Sequence, residues 1–222
     1  MKKILLILLT LTLVLQNAYA QIEADEKIVK YSAIIRAGVL DTYYYSLPIA
    51  RTKCIEGCPV DEESSTLSKS LNIGLIYQLN ERNHIAVLVG YSEFGYHVKG
   101  RYSIGGRPVH PYEGDVIWTY WGLELEHVLR LYQVGKVKFL LGNGLRVETP
   151  FDDEIRYDDY KAFEDIGFSY SGRIGAEIPI SNKISLIGNG LFKTSLIKYN
   201  PEIYESYRPY GIGGEIGIKV KL

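Results

Sequence analysis

The chain has only two cysteines and four histidines. Past its first twenty residues it has no apolar run long enough to cross a bilayer as a helix. For an exported chain this leaves a soluble protein or a β-barrel, since only helices and closed barrels satisfy every backbone group in lipid. Charge of one sign is also scarce. Lys and Arg number 25 against 26 Asp and Glu, for a net charge of -1, and loss of Lys2 and Lys3 with a leader takes this to -3. So nearly neutral a chain offers no electrostatic footprint for nucleic acid or for an extended charged surface.

Both cysteines fall in one segment, Cys54-Ile-Glu-Gly-Cys58, followed by Pro59. No histidine lies close by in sequence, so the ligands for a metal site are missing. In an oxidising compartment Cys54 and Cys58 are expected to staple the loop as a disulfide, with two unpaired thiols as the alternative.

The N-terminus supplies the compartment. Lys2 and Lys3 precede an apolar stretch from Ile4 to Leu15, and Ala18-Tyr19-Ala20 has the small-x-small pattern of a cleavage site. The expected organisation is a signal peptide over residues 1–20, cleaved after Ala20, and one domain over residues 21–222. About 200 residues is a usual size for a single β-barrel.

Eight segments alternate with a period of two, the signature of strands with two unlike faces. They span Ile28 to Leu40, Leu67 to Leu79, His84 to Lys99, Val116 to Arg130, Lys136 to Glu148, Gly167 to Ile178, Ile184 to Lys198 and Tyr210 to Leu222. The last is the clearest: Tyr210, Ile212, Gly214, Ile216, Ile218, Val220 and Leu222 alternate with glycine, Glu215, Lys219 and Lys221. In the third, the apolar phase moves from Ile85, Val87, Val89 and Tyr91 to Phe94, Tyr96 and Val98. A β-bulge near Ser92 or Glu93 is the expected cause. The seventh mixes apolar and small residues on both faces.

Connections alternate too. Those at Asn80 to Asn83, Leu131 to Gly135 and Pro179 to Asn182 are short, whereas Asp41 to Thr66, Gly100 to Asp115 and Thr149 to Ile166 are long and polar, with a shorter one at Asn200 to Ser206. Short turns at one end and long loops at the other characterise outer-membrane barrels. Aromatics gather near the long-loop ends, among them Tyr43, Tyr96, Trp118, Tyr120, Trp121, Tyr170 and Tyr210, and are expected to form an outer girdle.

Periodicity alone does not say which face points inward, because a soluble lipocalin-like barrel is apolar inside and a membrane barrel is the reverse. The charged set favours the membrane case. Arg36, Glu124, Glu126, Lys138, Arg146, Glu148, Arg173, Glu177, Glu215 and Lys219 all fall on the non-greasy face, in similar numbers of each sign. Inside eight strands, where side chains just fill the interior, such charges pair across the lumen.

No catalytic constellation stands out. His84, His97, His110 and His127 are scattered over different segments, and none sits in a nucleophile motif. Glu124 and Glu126 share a face with cations, which points to ion pairing rather than acid–base chemistry. The acidic stretch Asp152 to Asp159 lacks the spacing of a calcium loop. No enzyme activity, cofactor or metal is expected.

The ending Glu215-x-Gly217-x-x-Val220-x-Leu222 resembles the C-terminal assembly signal of Gram-negative outer-membrane barrels, with Val220 and Leu222 where aromatics are usual. Tyr120-Trp-Gly-Leu-Glu-Leu-Glu126 is similar to the Tyr-x-Leu-Glu-Ile-Pro strand of the porin-like outer-membrane β-barrel domain family, without its proline. The resemblance implies insertion by the barrel-assembly machinery and residence in the outer membrane of a Gram-negative bacterium.

The expected fold is all-β: an eight-stranded antiparallel up-and-down transmembrane barrel with long outer loops and short periplasmic turns. The expected role is structural or surface-interaction, with outer-membrane lipid and lipopolysaccharide around it and a surface ligand reached through the long loops. A narrow channel or secretion-associated barrel is the first alternative, and an exported soluble ligand-binding barrel the second.

Overall fold

The computed structural model describes residues 31–45, 60–101, 111–150, 167–196 and 208–222. The leader, His110, the acidic stretch and Cys54 and Cys58 lie outside these residues. Among the described residues there are nine strands: β1 (Tyr31–Tyr45), β2 (Val60–Ser64), β3 (Thr66–Gln78), β4 (Asn83–Arg101), β5 (Pro111–Val134), β6 (Val137–Pro150), β7 (Gly167–Pro179), β8 (Ile184–Ser195) and β9 (Arg208–Lys221). All pair antiparallel, and β4 pairs with β5 to close the sheet. Because β2 and β3 are one stave interrupted at Ser65, the wall is a closed barrel of eight staves.

The turns have local causes. The Asn80 side chain accepts hydrogen bonds from the backbone amides of Arg82 and Asn83, which reverses the chain between β3 and β4. Ser181 Oγ does the same for Lys183 and Ile184 between β7 and β8. Between β5 and β6, Gly135 supplies the left-handed conformation, with φ of 58°.

Register fixes the shape. Starting at Thr42 and stepping across paired residues leads through Gly211, Lys193, Ser171, Gly144, Glu126, Ala86 and Ile76 to Ser32. The circuit returns to β1 ten residues from where it began, which for eight staves tilts the strands by about 40°. Along β1 the outward face runs from Tyr31 to Asp41, about 25 Å of axial height at that tilt. The band between is apolar and exposed, with Ile35, Ile73, Leu75, Val87, Leu123, Leu125, Ile174 and Ile216 on it. Its edges carry aromatic contacts: Tyr31 with Tyr77 and Tyr132 with Phe139 at the turn end, Tyr91 with Trp121 and Tyr43 with Tyr210 at the loop end.

Two expectations are corrected. The β4–β5 register runs unbroken from Asn83↔Leu129 to Arg101↔Pro111, so β4 has no bulge against β5 near Ser92. The phase shift has another origin: Phe94 continues the inward face of Ala86, Leu88 and Ser92, and the interior itself becomes aromatic there. Tyr120 likewise is not in the girdle. It is 1% exposed and meets Phe94 edge-on inside the barrel. Beyond Ser92 and Tyr120, β4 and β5 continue nine residues past the stave β6, and β2 pairs with the far part of β4. A three-stranded ribbon therefore stands off the loop-end rim.

Candidate functional site

The inward positions of the staves build the site. Alternation puts Arg36 of β1, Glu124 and Glu126 of β5, Arg146 and Glu148 of β6, Arg173 of β7, Lys193 of β8 and Glu215 of β9 inside, all nearly fully buried. Arg36 Nη1 donates to Glu126 Oε2 at 2.7 Å and lies 3.4 Å from Glu215 Oε1. Arg173 is the hub: Nη1 reaches Glu124 Oε1 at 2.6 Å and Glu126 Oε1 at 3.5 Å, while Nε donates to Glu215 Oε1 at 2.9 Å. Arg146 donates to Asn72 Oδ1 at 2.6 Å and to the carbonyl of Gly90, and its Nε lies 3.4 Å from Glu148. Lys193 Nζ closes the set, donating to Glu148 Oε2 at 3.0 Å and Ser92 Oγ at 2.8 Å. Four cations face four carboxylates, which is how buried charges are tolerated.

Glycines create the room. A Cβ on Gly142 would strike the Glu126 carboxylate, and one on Gly144 the Glu124 carboxylate and Ser171 Oγ. At Gly217 it would meet the Arg36 side chain and the Ile35 carbonyl.

The interior is layered. Above the ion network lies the Phe94–Tyr120 pair, with Lys193 Nζ 4.3 Å from the Phe94 centroid and the Tyr96–Trp118 pair next to it. Below it, Ile34, Ile76, Ala86, Leu88 and Ile187 form a buried apolar layer. At the turn end a second cluster joins Glu177 to Lys219 and, at 3.7 Å, to Lys138. Within the upper network the void beside Ser70, Ser169, Arg146 and Lys193 is about 10 Å³, space for about one water.

All ten charged residues singled out from the sequence point inward. Seven meet in the upper network, whereas Lys138, Glu177 and Lys219 form the lower cluster. Lys193 and Asn72 were missing from that set. Lys193 shares its parity with Ser185 and Ile187, and the apolar Ile187 and Leu191 on the same face hid the pattern. Of the terminal motif, Glu215 and Gly217 face in, and Val220 and Leu222 face out.

The histidines stay apart. His84 is at the turn end, and His127 faces outward with Nε2 3.0 Å from Asn83 Oδ1. His97 stands on the ribbon opposite Asp115, with Nδ1 2.9 Å from Asp115 Oδ1 and Nε2 3.4 Å from Glu113 Oε1. The Asp115 hydrogen bond raises the imidazole pKa above its ordinary value, and His97 in turn lowers that of Asp115. Among the described residues no group of three or more His, Cys, Asp or Glu is arranged to hold a metal ion.

No protein-family model matches the chain, and neither does any curated protein. Solved structures of similar shape include Neisserial surface protein A, with 13% identity over 87% of this chain and 97% of that one, and a TM-score of 0.49. Outer membrane protein OprG from Pseudomonas aeruginosa has 11% identity over 86% and 96%, with a TM-score of 0.46. Outer Membrane Protein W of E. coli has 13% identity over 87% and 98%, with a TM-score of 0.40. At such identities and scores these likenesses say nothing about role.

Proposed function

We propose that this chain is a small integral outer-membrane barrel whose lumen is sealed by its own side chains, and whose role is structural or surface-interaction. One observation carries the reading: the barrel is inside-out. Most of its large aliphatic side chains are exposed around the outer wall, and Arg36, Arg146, Arg173 and Glu124, Glu126, Glu148, Glu177 and Glu215 are buried within. In water that arrangement would expose far more contiguous apolar surface than a soluble monomer tolerates. In a bilayer it matches an outward apolar band about 25 Å tall between aromatic girdles. A soluble ligand-binding barrel needs the opposite faces.

The lumen supports a sealed barrel over a channel. Aromatic cap, paired charges and apolar layer follow one another with little void between them. Outer-membrane lipid and lipopolysaccharide are the surrounding partners in this reading, and the barrel-assembly machinery recognises the terminal strand. The long loops and the ribbon present the surface for a ligand.

Carbonate washing of membranes tests location, with the protein expected to stay in the pellet. Planar-bilayer recording tests the seal, with no current steps expected from the purified protein. Discrete conductance would favour the channel, and release into the supernatant the soluble barrel.

A further inference from the structure

The wall is irregular at the loop-end side of β4. Its ladder with β3 ends at Ser70↔Ser92, and its ladder with β2 starts at Ser64↔His97. Five residues of that stave, 65–69, therefore face four of β4, Glu93 to Tyr96. Among the described residues no ladder pair crosses this stretch, and side chains bridge it instead. The Glu93 carboxylate accepts from the Lys69 amide at 2.8 Å. Thr42 Oγ1 of β1 accepts from the Gly95 amide at 3.1 Å and lies 3.0 Å from the Gly95 carbonyl oxygen, to which it donates. Ser68 Oγ, at 2.5 Å, completes its contacts. A strand neighbour ordinarily supplies a residue with one donor and one acceptor, and here a single hydroxyl supplies both.

The position of Thr42 gives the direction. It shares its parity with Arg36 and Leu40, so its side chain faces the lumen, and it is fully buried. β3 stands between β1 and β4 in the wall. A hydroxyl on the inner face of β1 reaches the β4 backbone only where β4 has passed to the lumen side of β3. Gly95 agrees with this: it has the outward parity of the exposed Val87 and Val89, yet is buried. Phe94 beside it is thereby carried toward the far wall, where Lys193 Nζ of β8 lies 4.3 Å from its centroid.

We propose that Thr42 is the positioning residue of the barrel's seal: its hydroxyl straps β4 across the mouth and so holds the Phe94–Tyr120 cap over the ion network. The inference rests on the sealed-lumen reading above and names the contact that maintains the seal. The hydroxyl matters rather than the volume. Removing it leaves the buried N–H and C=O of Gly95 without the group that replaces a strand neighbour, a cost that favours release of the strap.

The test uses the full chain in lipid nanodiscs, where both ends of the barrel meet solvent, with Cys54 and Cys58 replaced by serine. The reporter is Ser169→Cys. Ser169 is fully buried beside the void of the upper network, and its Oγ has no hydrogen-bond partner among the described residues. A charged, water-soluble thiol reagent should label the reporter slowly. Adding Thr42→Val, similar in shape without the hydroxyl, should speed labelling roughly tenfold or more, whereas Thr42→Ser should leave it slow. A heat-dependent gel shift verifies that each variant is folded. With Thr42 in place, amide exchange at Gly95 should be as slow as at residues paired in the ladders. Equal labelling of the Thr42→Val and Thr42→Ser proteins, or free exchange at Gly95, overturns the strap. The exchange measurement decides the matter if Thr42→Val does not fold. Rapid labelling of Ser169→Cys with Thr42 intact instead overturns the sealed lumen on which the inference rests.

Discussion

Arg173 touches Glu124, Glu126 and Glu215, so its loss would leave three buried carboxylates short of a partner. Arg173→Met is expected to lower stability by about 3–5 kcal/mol, read as a shift in the urea unfolding midpoint in vesicles. His97 gives a second residue-scale test. Its raised pKa means that the pairing with Asp115 stabilises fully below about pH 6.5 and is lost as pH rises through the raised value. The lowered pKa of Asp115 adds stability present above its ordinary 3.8 and lost as pH falls through the depressed value. The ribbon should therefore be firmest between the two. Amide exchange at Tyr96 to Lys99, corrected for intrinsic rate, is expected to be slower near about pH 5.5 than near about pH 8. In His97→Asn that difference should vanish.

At the scale of elements, legibility depended on what each stave has inside it. β3, β6 and β9 alternate cleanly because their inward residues are polar, charged or glycine, apart from Ile76, Leu140 and the prolines Pro150 and Pro209, so the greasy face had to be the outer one. β8 was unreadable for a definite reason: Ile187 and Leu191 belong to the lumen, while Gly188 and Gly190 interrupt the outer face. β4 misled in the same way, its inward Phe94 imitating a slipped strand. The far part of β5 went unread because Pro111 and Gly114 break the alternation beyond the barrel wall. Gly217 offers the element-scale test. Gly217→Val places a branched side chain against Arg36 and the Ile35 backbone, and should abolish the heat-dependent gel shift of the folded barrel. Gly188→Ala, with open space around it, should keep that shift.

For the whole molecule, the sequence carried the inside-out polarity and the membership of the charge set, yet not its wiring. Arg36 and Glu126 are 90 residues apart, and only the closed register brings them within reach. The layering of the lumen likewise arises from tilt, which collects one inward residue from each stave at each height. Removing one layer should not open the barrel. Phe94→Ala is expected to stay electrically silent in planar bilayers, because the ion network and the apolar layer beneath it remain. Steady conductance from that variant would show that the aromatic cap alone forms the seal.

The ribbon beyond the rim has a mechanical consequence. β4 and β5 run from turn to tip without a break in register, so nothing along them acts as a hinge. A partner pulling on the tip along the strands draws β4 and β5 together and loads their seams with β3 and β6 in shear, with the hydrogen bonds of each strained together rather than opened one by one. Both seams belong to the barrel wall. Any load at the tip is thus borne directly by the wall below it, as a mooring post is held by the pile it is cut from.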